Sequence, residues 1–232
     1  MTHNGTETIA ENVRQILETI PPTVTLVAAA KGRSPQEVET ANQAGITCFG
    51  QNYVQEAERI LPEVHSEVEW HLIGHLQRNK AKKAVQLFDM IQTVDSWRLA
   101  VALDRACEAI EKPLQALVEI NSGREPNKTG VLPEEVDELV RKLSGLEFVQ
   151  VRGLMTMGPR FGDPEDARPY FRATREAFEK LSALSLPNVT MEILSMGMSN
   201  SYTVAIEEGA NLVRIGSRIF GQSSAESQSA SS

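Results

Sequence analysis

Lys31, the first lysine in this chain, has the means to do covalent chemistry. It ends the run VTLVAAAK, Val24 to Lys31, which is otherwise small, β-branched or apolar, and Gly32, Arg33, Ser34 and Pro35 close the run. An uninterrupted apolar run of this kind is the pattern of a strand covered on both faces, so Lys31 is expected where a core strand emerges. Partial desolvation there favours the neutral amine, the form that attacks a carbonyl. The competing reading is a strand-end lysine that reaches into water, as most lysines do.

The end of the chain supplies a complement. SMGMSN, Ser195 to Asn200, is a glycine-containing turn running into a serine N-cap, which aims free backbone N–H groups at an anion. VRIGS, Val213 to Ser217, is a strand ending in Gly-Ser, where backbone can approach a ligand closely. Alternation along that strand puts Arg214 and Gly216 on one face. A guanidinium buried there needs an acceptor: a heterocyclic ring nitrogen beside a bound phosphate fits, and so does a structural salt bridge. Lysine, phosphate cup and arginine together are the parts that hold pyridoxal 5'-phosphate. An arginine at the ring nitrogen disfavours its protonation, making the cofactor a weaker electron sink than one paired with an aspartate.

These residues must be positioned by some framework, and the chain reads as about eight strand-helix alternations. An amphipathic helix, Ile9 to Ile20 with Ile9, Val13, Ile16, Leu17 and Ile20 on one face, precedes Pro21-Pro22. Strands are expected at 24–30, 46–50, 69–74, 89–94, 114–120, 148–157, 189–194 and 212–215. Helices are expected from Ser34-Pro35 to Gly45 and over 53–61, 79–87, 97–111 and 133–143, then in a long segment ending near Leu184 and over 199–208. Eight units favour a single α/β domain, a closed (β/α)8 TIM barrel with an extra N-terminal helix over residues 1–221. The active face is then the C-terminal ends of the strands, and the loops after strands seven and eight are the frequent phosphate site. Residues 222–232, rich in serine and alanine, read as a disordered tail.

Other chemistries are poorly served. His71 and His75 are four apart, but on a strand that spacing separates them, so no metal is expected. No Gly-x-Gly-x-x-Gly follows the first strand, and no Gly-x-Ser-x-Gly is present. A formal net charge of -8 argues against nucleic-acid binding through a basic surface. Cys48 and Cys107 fit buried free thiols in a reducing compartment. The N-terminus lacks a secretory signal, and no apolar run approaches the roughly 20 residues of a membrane span. A cytoplasmic location is expected.

The segments Ala30-Lys31, FGQNYVQE (49–56), WHLIGHLQRNK (70–80), GLMTM (153–157), SMGMS (195–199) and VRIGSRIFG (213–221) resemble the YggS/PROSC family of pyridoxal phosphate homeostasis proteins, over nearly the whole span from Val24 to Gly221. The resemblance implies a fold-type III barrel like the N-terminal domain of alanine racemase, with pyridoxal phosphate as an internal aldimine on Lys31. It implies Asn52 beside the ring, Ser199, Asn200, Gly216 and Ser217 at the phosphate, and Arg214 at the ring nitrogen. It also implies a role in vitamin B6 and amino-acid homeostasis without robust catalysis, and a monomer whose partners are the cofactor, amino acids or apoenzymes. Gln51 and Ser201 stand where family members commonly carry acids.

Three function classes remain: a non-catalytic carrier or regulator of pyridoxal phosphate, a racemase-like enzyme using it, and a cofactor-free phosphosugar enzyme in which Lys31 binds substrate. A racemase needs a second acid/base on the opposite cofactor face, usually from a second domain, and 232 residues are expected to leave no room for one.

Overall fold

The run that ends at Lys31 forms the first of eight parallel strands in the computed structural model, which describes residues 3–159 and 162–221. The strands are β1 (Thr25–Ala29), β2 (Cys48–Gln51), β3 (Glu69–Leu72), β4 (Met90–Val94), β5 (Leu114–Ile120), β6 (Val149–Thr156), β7 (Val189–Ser195) and β8 (Leu212–Ile215). They close in sequence order into a barrel, and β8 pairs back onto β1 with Val27 opposite Arg214. The helices are α1 (His3–Thr19), α2 (Pro35–Gln43), α3 (Val54–Ile60), α4 (Ala81–Leu87), α5 (Trp97–Glu108), α6 (Val136–Leu143), α7 (Arg168–Ser182), α8 (Tyr202–Glu207) and α9 (Ser217–Phe220). The (β/α)8 barrel read from the alternation is the fold. The serine-rich tail from residue 222 lies outside the described residues.

Local chemistry sets the element boundaries. Ser34 caps α2 by accepting from the Glu37 N–H at 3.3 Å, and Glu37 reaches back to the Ser34 N–H at 2.8 Å, with Pro35 in the first turn. Helix α1 buries Ile9, Val13 and Ile16, and Ile20 is buried just past its end, but Leu17, expected on the same face, sits at its exposed edge. Strand β3 stops at Leu72, two residues earlier than its apolar run, because Gly74 turns against the Asn52 backbone and its carbonyl accepts from Thr93 Oγ1 at 2.8 Å. The four-residue α9 has no counterpart in the sequence reading.

The core has two parts. A continuous apolar layer between barrel and helices includes Phe49, Leu72, Ile91, Leu103 and Phe171. Truncating a fully buried aromatic such as Phe49 would cost about 3–5 kcal/mol. Inside the barrel are two smaller clusters, Val27, Cys48, Ile73 and Leu212 on one side and Met90, Leu117 and Met155 on the other. The barrel interior is therefore packed, and its mouth is the place for a ligand. No helix among the described residues is long and apolar enough to cross a membrane.

Candidate functional site

Lys31 leaves the C-terminal end of β1 in a short turn and is half-buried. The backbone around it is tied down from several directions. Ala30 N–H donates to the Gly50 carbonyl at 2.8 Å, Gln51 Nε2 donates to the Ala30 carbonyl at 3.2 Å, and Gly32 N–H donates to Glu56 Oε1. Arg33 donates to the Phe220 carbonyl at 3.0 Å, with its guanidinium 5.3 Å from the Phe220 ring centroid. Gln51, one of the two departures from the family pattern, thus buttresses the lysine turn, and its Oε1 has no hydrogen-bond partner among the described residues. Glu56 is a positioning residue that sequence reasoning did not single out.

The turn after β7 and the end of β8 meet beside this lysine. Gly197 adopts φ 88, and a Cβ on it would lie 2.6 Å from Ala205 Cβ, so the turn requires glycine. Ser199 Oγ accepts from the Gly216 N–H at 3.2 Å. A Cβ on Gly216 would come within 3.1 Å of the Ala29 carbonyl, so β8 presses its backbone against the strand end that carries Lys31. Ser217 opens α9, whose first N–H groups have no carbonyl one turn back. Ser199 and Gly216, with Ser217 next in the chain, are thereby gathered at the strand end that leads to Lys31.

One expectation changes here. Ser199 does not cap a helix: α8 begins at Tyr202 after Ser201, and Ser199 instead bridges to Gly216. Asn200 is exposed, and its side-chain amide donates to the Gly162 carbonyl at 3.1 Å. Asn52 lies at the exit of β2, partly buried, with the Gly74 backbone packed on it.

Arg214 points into the barrel and is 4% exposed. It donates from Nη1 to Ser195 Oγ and from Nη2 to the Thr156 carbonyl at 2.8 Å. Both partners are neutral, and among the described residues it makes no ion pair, which removes the salt-bridge reading. Burial pushes its pKa down to about 10, and the charge of Glu119 acts in the opposite direction. Glu119 is itself buried on β5. Desolvation raises its pKa, a bond from Thr129 Oγ1 at 2.8 Å opposes that rise, and its Oε2 has no partner among the described residues.

Deeper in the barrel His71 bridges Gln92 and Glu69, and its ring N–H holds the Glu69 carboxyl below the usual range. The ligand atoms of Cys48, Glu69 and His71 lie within 4.8 Å of one another, a grouping that the search for His71 with His75 overlooked. His75 is exposed, 3.4 Å from Asp95. Alternation on β3 and the register of β2 against β3 (Cys48 opposite Glu69, Gly50 opposite His71) would have been the signal.

The geometry joins an amine, an anion cup and a buried guanidinium, and relatives of this chain carry the same framework. The family defined by the alanine racemase N-terminal domain matches residues 6–224. A pyridoxal phosphate homeostasis protein of Pasteurella multocida is 35% identical over 227 residues, covering 92% of this chain and 97% of that protein. The chain belongs to the pyridoxal phosphate homeostasis protein family. Within solved structures, this family member is similar to PipY of Synechococcus elongatus, known without and with pyridoxal phosphate. The two PipY structures are 36% and 34% identical, with TM-scores of 0.86 and 0.84, and each match covers 92% of this chain and 100% of PipY. An alanine racemase of Clostridium difficile, 15% identical with a TM-score of 0.74 over 94% of this chain and 56% of its own, shares the fold.

Proposed function

We propose that this pyridoxal phosphate homeostasis family member binds pyridoxal 5'-phosphate at the barrel mouth, linked to Lys31, and holds it for exchange instead of using it for rapid turnover. The observation that carries this reading is the contact of Gly216 with both Ser199 and the Ala29 strand end, which sets an anion cup one short turn from the only lysine in the β1 run. The group would bring an aldehyde that condenses with primary amines and a ring that withdraws electrons.

The residues present fit that group. Lys31 supplies the amine, and the bonds from Gly50, Gln51 and Glu56 fix the backbone from which it reaches. The Ser199 hydroxyl and the backbone N–H groups of Ser217 and Asn200 supply donors for a phosphate, and Gly216, whose N–H orients Ser199, leaves room for its close approach. Arg214 offers a donor held against neutral partners, and as a permanent cation it leaves a ring nitrogen unprotonated. Asn52 stands at the neighbouring strand end, in reach of the ring face.

The names of the relatives support a homeostatic role, and the PipY structure with cofactor supports binding by a barrel of this kind. Amines, amino acids and apoenzymes that need the cofactor are the partners this reading implies. Two measurements test it. A visible absorbance band should appear when pyridoxal phosphate is added to the pure protein and disappear on dialysis against a primary amine. Single-enantiomer amino acids incubated with the loaded protein should keep their configuration on chiral chromatography. A protein that stays colourless defeats the binding reading, and racemisation at enzyme-like rates defeats the non-catalytic one.

A further inference from the structure

Five polar side chains cross the packed barrel interior in one unbroken line. Arg214 Nη1 donates to Ser195 Oγ, and Ser195 Oγ donates to Gln92 Oε1 at 2.7 Å. Gln92 Nε2 donates to His71 Nδ1 at 2.8 Å, and His71 Nε2 donates to Glu69 Oε1 at 2.9 Å. The line passes through β8, β7, β4 and β3 and runs between the two apolar clusters of the interior. Its inner members are buried, whereas the Glu69 side chain is 48% exposed at the start of β3, the end of the barrel opposite the mouth.

With one ring proton on His71, the two ends of the line set the direction of the bonds between them. Arginine only donates and an ionised carboxylate only accepts, so the two ends are fixed. Arg214 takes one lone pair of Ser195, whose own proton goes to the Gln92 carbonyl oxygen. The Gln92 amide nitrogen then faces Nδ1 of His71, and the single ring proton sits on Nε2. Reversing Gln92 would bring a proton onto Nδ1 and leave the bare Nε2 facing the Glu69 carboxylate, unless His71 gained a second proton. Dipoles aligned this way reinforce one another, and a buried member that loses its partner has no water to replace it.

We infer that Ser195, Gln92 and His71 are positioning residues for Arg214, aligning its guanidinium at the barrel mouth from an anchor at the barrel floor. Ser195 holds one bond that fixes the guanidinium, and the Thr156 carbonyl holds another. Gln92 and His71, further down the barrel interior than Ser195 at the end of β7, thereby set how firmly the guanidinium is held. The inference rests on the reading of Arg214 as the group facing the cofactor ring nitrogen.

Two measurements test it. Ring nitrogen-15 NMR on the wild-type protein at pH 8, stripped of cofactor, should find His71 protonated on Nε2 alone; a proton on Nδ1 alone overturns the line. Pyridoxal phosphate affinity, read from the visible band, should fall about tenfold in Ser195→Ala and His71→Leu, the order expected when a charge-assisted bond is misaligned. The pH midpoint of that band should shift in both. His71→Asn, whose side-chain carbonyl can stand in for Nδ1, should recover most of the affinity. Folded Ser195→Ala and His71→Leu proteins that bind as wild type and keep its pH midpoint, while the cofactor still links to Lys31, overturn the inference alone. Loss of the Lys31 link in wild type would instead defeat the reading of the site.

Discussion

The Gly216 N–H donates to Ser199 Oγ at 3.2 Å, which joins the turn after β7 to the end of β8. Because Gly216 also packs on the Ala29 carbonyl, the same backbone that closes the anion cup touches the strand leading to Lys31. The turn that carries Lys31 and the turn after β7 are thus held against one another through direct contact between neighbouring strand ends. Closing the barrel through β8 against β1 creates this contact.

Gly197 should be intolerant of even the smallest side chain. Its φ of 88 and the 2.6 Å approach to Ala205 make Gly197→Ala strained as well as crowded. The expected cost is about 1–3 kcal/mol, measurable by urea denaturation. Phosphate protection of the folded protein against urea should weaken in the same variant.

Glu119 should make stability fall as pH rises. Its pKa is raised mainly by desolvation, so the fold favours the neutral acid. That contribution is complete below the unfolded glutamate value of about 4.3 and is lost as pH climbs through the higher folded value. Glu119→Gln keeps an acceptor for Thr129 and removes the titration. Thermal melts should place the variant above wild type at pH 8, with the gap closing toward pH 4.

Ser34→Ala removes the cap that starts α2 three residues after Lys31. A loss of about 1 kcal/mol is expected in denaturant unfolding followed by circular dichroism, because the Glu37 N–H loses its side-chain acceptor and the Glu37 carboxylate loses the Ser34 hydroxyl. Cofactor affinity should change little, since the lysine turn keeps its bonds to Gly50, Gln51 and Glu56.

What the sequence made legible was whatever depends on local pattern. Apolar runs and their spacing revealed the eight strands, and Ser34-Pro35 announced its helix. Lys31, Gly216 and Ser217 stood out because each ends a strand, where barrels place their chemistry. What stayed hidden depends on register across strands. His71, Gln92 and Ser195 look like ordinary polar residues in separate segments, and only the closed barrel lines them up. Glu119 hid for the same reason, inside a run otherwise read as plain strand. Ser199, Asn200 and Ser201 are all good cap residues, so local preference left the helix start undecided; the bond from Gly216 draws Ser199 into the cup and leaves α8 to begin at Tyr202. Strand β3 looked too long because Ile73 and Gly74 extend an apolar run that tertiary packing against Asn52 interrupts.

The central claim is the bond between Lys31 and pyridoxal phosphate. Borohydride reduction of the loaded protein, followed by proteolysis and mass spectrometry, should leave the reduced adduct on the peptide containing Lys31 and on no other. The Lys31→Ala protein should carry none and lack the visible band. An adduct found on a different lysine, or a band of wild-type strength in Lys31→Ala, would contradict the account.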